Sequence, residues 1–158
     1  MKKMNFTKSL KSGFTLIELL VVVAIIGILA SVVLSSLNTA RSKGADAAIK
    51  ANLANTRVQA ELNYDDNNSY INLCTDPVIG NQIQAAADAL GGDIDNSPSS
   101  TGTATTVVCH VAPDSTSWAI GSGLKVPADV ANSWCVDSVG ASKKITAGFL
   151  QANIFKCP

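Results

Sequence analysis

Histidine is nearly absent from this sequence of 158 residues: His110 is the only one. A zinc site built on imidazole has one donor at most, and no CxxC pair exists to build one on thiolates. His110 adjoins Cys109 on an expected strand, so the two side chains point to opposite faces. That argues against a Cys–His nucleophile pair. The GxSxG, Walker and HExxH patterns are missing too. Asp93 and Asp95, near Asn96, lack the spacing of an EF-hand calcium loop, and a solvated loop is the expectation there. No catalytic residue, metal ligand or cofactor is assigned from the sequence. Aromatics are also few, with two tryptophans, two tyrosines and four phenylalanines, which limits stabilisation by burial alone.

Net charge is zero, but it is unevenly spread. The first 13 residues carry Lys2, Lys3, Lys8 and Lys11 and no acid, which leaves 8 basic and 12 acidic residues in the rest. A mildly acidic body gives no support for general nucleic-acid binding, although it leaves room for a local basic patch. DNA stays a possible partner without support. The length suits one domain of ordinary size behind the N-terminal segment.

What the sequence does have is a long apolar run. Residues 14–37 read FTLIELLVVVAIIGILASVVLSSL, with Glu18 as the single charge. As a helix this run spans about 36 Å, enough to cross a hydrocarbon core of about 30 Å. The preceding lysines would stay cytoplasmic and put the body outside. A cleaved secretory signal fits poorly, because its apolar region is shorter and ends in a small-x-small site. A plain membrane anchor explains the hydrophobicity but not Glu18. A carboxylate inside a membrane helix is costly and calls for a partner. A cut between Gly13 and Phe14 would supply one, the new α-amino group of Phe14.

The string Gly13-Phe14-Thr15-Leu16-Ile17-Glu18-Leu19-Leu20 resembles the processing signature of type IV prepilins and of the related pseudopilins of type II secretion. The short, basic, glycine-ended leader is similar to theirs. The resemblance covers about the first third of the chain. It implies that a membrane prepilin peptidase cuts after Gly13 and N-methylates Phe14. It also implies that Glu18 pairs with the Phe14 amine of an adjacent subunit and sets register during assembly. The helix-kinking proline of many family members is absent from the apolar segment. Gly27 and Ser35-Ser36 are its weak points.

Beyond Leu37 the sequence stays free of proline up to Asp76 and rich in alanine, so the helix is expected to run to about residue 65. Ala40, Ala47, Ala51, Ala54, Val58 and Leu62 form one stripe. Ala45, Ile49, Leu53 and Ala60 form another. One stripe would face the protein's own sheet and the other a neighbouring subunit; alternatively both are buried in one domain. Such a helix would be about 78 Å long and would protrude from a head of ordinary size. The expected boundaries are a leader over 1–13, a transmembrane and filament-core half-helix over 14–37, an amphipathic half over 38–66 and a globular head over 67–158.

In the head, Pro77 and Gly80 are expected to break the chain, with a short helix over Gln82–Leu90 stopped by Gly91-Gly92. Ser97–Thr103 reads as a flexible loop, either unmodified or a carrier of O-linked glycans. Asn67-Asn68-Ser69 is a formal N-glycosylation sequon. Strands are expected at Thr105–Val111, Ser117–Ile120, Ser133–Val139 and Lys144–Ala147, with turns at Gly121-Ser122-Gly123 and Gly140-Ala141-Ser142. Trp118 and Trp134 are expected in the core or in cross-strand pairs, with a ligand platform as the alternative. The resulting class is α+β, a pilin-like long N-terminal helix packed on a small antiparallel sheet.

Cys74, Cys109, Cys135 and Cys157 all follow the apolar segment and read as two disulfides in an oxidising compartment. Four cysteines allow three connectivities, and the expected one is Cys74–Cys109 with Cys135–Cys157. By resemblance, a cysteine-bracketed C-terminal loop is similar to those of pilins more than to those of major pseudopilins. The function implied is a structural subunit of a helical homo-oligomeric filament. Its partners would be the prepilin peptidase and an inner-membrane assembly platform. It would sit as a single-pass precursor in the inner (cytoplasmic) membrane and then in an extracellular pilus. The alternatives are a pseudopilin, a minor pilin that binds DNA or a surface, and an anchored domain that does not polymerise.

Overall fold

The computed structural model describes residues 13–126, 132–145 and 150–158. The expected leader, apart from Gly13, and the end of the fourth expected strand lie outside these residues. The chain divides into two compact units, residues 1–38 and 39–158.

In the first unit, Gly13, Phe14 and Thr15 are non-helical and α1 (Leu16–Asn67) begins. Every described residue of this unit is exposed. By length and composition the segment is able to cross a membrane. The helix carries no proline, and alanine and leucine are among the best helix formers. Ser31 returns its hydroxyl to the carbonyl of Ile28 at 2.8 Å.

In the second unit, α1 buries Asp46, Ile49, Leu53, Thr56 and Ala60 along one face. It ends at Asn67, with Asn68 left-handed at φ 49°. Asparagine tolerates that conformation, so it suits a helix exit. A 3-10 turn (Leu73–Thr75) leads into α2 (Pro77–Leu90). Here the structure corrects the sequence reading. Pro77 opens the helix instead of breaking the chain, because its missing N–H would be unsatisfied at that position anyway. The Asp76 carboxylate caps it, accepting from the N–H groups of Val78 at 2.9 Å and Ile79 at 3.0 Å. Gly91, left-handed at φ 68°, ends it.

Among the described residues five strands follow: β1 (Asp93–Asp95), β2 (Thr106–Val111), β3 (Trp118–Gly123), β4 (Ser133–Asp137) and β5 (Ser142–Ile145). They pair in sequence order, with β1 parallel to β2 and the rest antiparallel. The architecture is therefore α+β. Three expectations change. Asp93 and Asp95 form an edge strand instead of a loop. Gly121-Ser122-Gly123 lies inside β3 instead of turning the chain. Ser97–Thr103 is tied down, with the Pro98 carbonyl accepting from Asn153 N–H at 2.7 Å and Gly102 N–H donating to the Leu150 carbonyl at 3.1 Å. A side chain at Gly123 would collide with the backbone of Ala104, so glycine is required for that close approach.

The sheet is covered on both faces. One face joins α1 and α2 around Ile49, Leu53, Ile83, Val107, Trp118 and Val136. The other holds Val108, Ala119, Cys135 and Ile145 beneath Leu150 of the C-terminal tail, with Cys157 against them.

Candidate assembly site

At the start of α1, Thr15 and Glu18 satisfy each other. The Glu18 carboxylate accepts the Thr15 backbone N–H at 2.9 Å and its hydroxyl at 2.8 Å. The Thr15 hydroxyl oxygen in turn accepts the Glu18 N–H at 3.2 Å. This is a capping box, and it uses two of the amides that a helix start leaves unpaired. The membrane-segment carboxylate thus has donors on its own chain, and the sequence reading overlooked Thr15. The Thr-x-x-Glu spacing was the available signal. Gly13 and Phe14 lie just before the helix in non-helical, exposed backbone.

Further along, the structure separates the two stripes of α1. Ile49, Leu53 and Ala60 are fully buried, whereas Ala47, Ala51 and Ala54 are exposed and Val58 and Leu62 keep 61% and 53% of their surface. The reading that both stripes are buried does not hold. Asp46 is the one buried acid of this stretch of helix. Its carboxylate accepts the N–H groups of Lys125 at 2.6 Å and Val126 at 3.2 Å, which ties α1 to the residues that directly follow β3.

The structure brings Cys74 to Cys109 and Cys135 to Cys157, each pair bonded. The second bond closes the tail onto β4. Asp137, 1% exposed, reinforces it. One oxygen accepts from Val139 N–H at 3.1 Å and Ala141 N–H at 2.8 Å; the other accepts from Cys157 N–H at 2.8 Å. His110 is buried on this same face. Its Nδ1 lies 3.0 Å from the Ile154 carbonyl and its Nε2 lies 3.4 Å from the Ser100 hydroxyl. It links loop and tail, far from a nucleophile's role. Trp118 is fully buried, and Trp134 is packed against the core with the Lys50 ammonium 4.9 Å from its ring centroid. Neither presents a ligand platform. Among the described residues no group of three His, Cys, Asp or Glu side chains is placed to hold a metal.

A membrane-length helix that opens on a capped acid, followed by a disulfide-bonded α+β unit, is the layout of a pilin. The family model for the prokaryotic N-terminal methylation motif matches residues 8–34. Over this N-terminal segment the chain is similar to the precursors of type IV pilins. A curated relative is the type IV wide pilus major component PilA4 of Thermus thermophilus, 48% identical over 58 residues. That alignment covers 37% of this chain and 44% of the relative, so the chain spans less than half the length of the protein it matches. No solved structure matches. The apolar helix and this similarity fit a membrane-anchored precursor and a pilus.

Proposed function

We propose that this chain is the structural subunit of a type IV pilus-like filament. A prepilin peptidase cuts between Gly13 and Phe14 and methylates the new amine. The processed chain waits in the inner membrane with its second unit outside, and an assembly platform then extracts it. Apolar helices bundle into the filament core, exchanging lipid contacts for helix contacts. The observation that carries this reading is Glu18 at the head of the otherwise uncharged, membrane-length run over residues 14–37, within the matched methylation motif. The capping box keeps the carboxylate satisfied while the chain is a monomer. On assembly its remaining acceptor capacity is available to the Phe14 ammonium of a neighbour, and a wrong axial register leaves that pair unmade. The disulfide that closes the C-terminal tail favours the pilus over the pseudopilus.

The test is the intact mass of this protein in filaments sheared from the cell surface. A mass of residues 14–158 plus one methyl and minus four hydrogens supports cleavage, methylation, both disulfides and surface export together. A processed chain confined to the cell envelope points to the pseudopilin instead. An uncut chain that stays in the membrane overturns both.

A further inference from the structure

Charges on α1 within the second unit are segregated by sign. Setting aside the buried Asp46, Arg41, Lys43, Lys50 and Arg57 come first, then Glu61, Asp65 and Asp66. The middle ones are engaged within the unit. Lys50 lies over the Trp134 ring and Asp46 accepts backbone N–H groups. Arg57 lies along the Gly140 turn, and the Glu61 carboxylate accepts the Tyr70 hydroxyl at 3.2 Å. The outer four, Arg41, Lys43, Asp65 and Asp66, are all exposed. The two acids stand where the helix macrodipole is already negative, and the last turn carries no base to offset them. That placement is unfavourable for the chain alone, so it favours a cationic neighbour.

Resting on the filament reading above, we infer that this neighbour is a second copy of the chain, parallel and axially staggered, whose Arg41 and Lys43 lie beside Asp65 and Asp66 of the first. Lys43 and Asp65 are 22 residues apart and Arg41 and Asp66 are 25 apart. At 1.5 Å per residue the stagger is about 33–38 Å. A parallel pair without stagger sets like charges against like and is disfavoured. Exposed Ala47, Ala51, Ala54 and Val58, between the two charged ends, let the neighbouring helix approach closely. The charge pattern therefore discriminates between registers at a place remote from Glu18.

A charge-exchange series in the full-length chain tests this, read as the ratio of this protein in sheared filaments to that in the membrane. Arg41→Glu with Lys43→Glu, and separately Asp65→Lys with Asp66→Lys, should each lower the ratio on the order of tenfold. All four changes together restore complementarity and should bring the ratio back to within about twofold of the unaltered chain. Non-reducing mass measurement counts only molecules with both disulfides, which separates misfolding from misassembly. No loss in either pair, or no recovery in the fourfold variant with its disulfides intact, overturns the stagger. Absence of the unaltered chain from sheared filaments would overturn the filament reading and the stagger with it, and is seen before any variant is made.

Discussion

The Glu18 carboxylate lies 2.9 Å from the Thr15 backbone nitrogen and 2.8 Å from its hydroxyl. An acid that a bilayer would penalise is therefore held by its own helix start. Removing the acid and removing its holder should have different consequences. Glu18→Ala should leave cleavage at Gly13 and membrane insertion intact and lower filament yield. Thr15→Val weakens the cap by about 1 kcal/mol but keeps the carboxylate, so filament yield should fall less. Immunoblots of the membrane pool and of the sheared fraction separate the two steps. Normal filaments from Glu18→Ala would remove the register role.

Asp137→Asn should destabilise the second unit by about 1–3 kcal/mol. One of its two carboxylate oxygens becomes an amide NH2. Whichever way the amide is turned, a donor then faces a backbone N–H of either Cys157 or the Val139–Ala141 turn. Thermal unfolding of the oxidised protein measures the cost, and an unchanged melting temperature would show that the three bonds contribute little.

Replacing both Cys135 and Cys157 by serine should cost about 3–4 kcal/mol on the chain-entropy model, and replacing Cys74 and Cys109 a similar amount. The closed loops differ only moderately, with sequence separations of 22 and 35. The two variants should differ locally. Loss of Cys135–Cys157 should raise amide exchange across residues 150–158, whereas loss of Cys74–Cys109 should act around the 3-10 turn and β2. Identical exchange maps would count against the tail being held separately.

Burial raises the pKa of the Tyr70 phenol, and the charge of Glu61, to which it donates, raises it further. The folded chain therefore holds this proton more tightly than the unfolded chain. The stability it contributes is present in full below the unfolded tyrosine value of about 10 and is lost as pH rises through the raised folded value. Melting temperatures of the unaltered chain and of Tyr70→Phe, compared from pH 8 to 11, should converge at the alkaline end. A constant gap across that range would assign the difference to packing alone.

The long helix was legible because composition and the lack of proline acted together over 52 residues, and Asn68 marks its end where the polar stretch suggested. The α+β class followed from strand-like runs after a helical half. What was not legible depended on partners distant in sequence. β1 is only three residues long and exists because β2 accepts it at Ile94 and Val107, a pairing that local pattern does not announce. Gly121-Ser122-Gly123 has turn composition, yet the lack of a side chain at Gly121 and Gly123 is what lets β3 lie against Leu150 and Ala104. Pro77 was misread as a breaker because its role depends on Asp76 in front of it. Four cysteines allow three connectivities, and the expected one, Cys74–Cys109 with Cys135–Cys157, is the one the structure bonds, although spacing alone does not select it. At the candidate site Glu18 stood out by its charge, while Thr15 was hidden by being an ordinary residue.

The two disulfides also set how the second unit responds to load. Held at its two ends and pulled, the chain can release only what lies outside the closed loops. Residues 74–109 and 135–157 pass the force through sulfur and stay folded back. At about 3.4 Å per extended residue, the two loops withhold on the order of 190 Å of contour length. Overstretching should therefore end in a short extension and a stiff stop, and treatment with a reductant should be what lets the same chain run out to its full length.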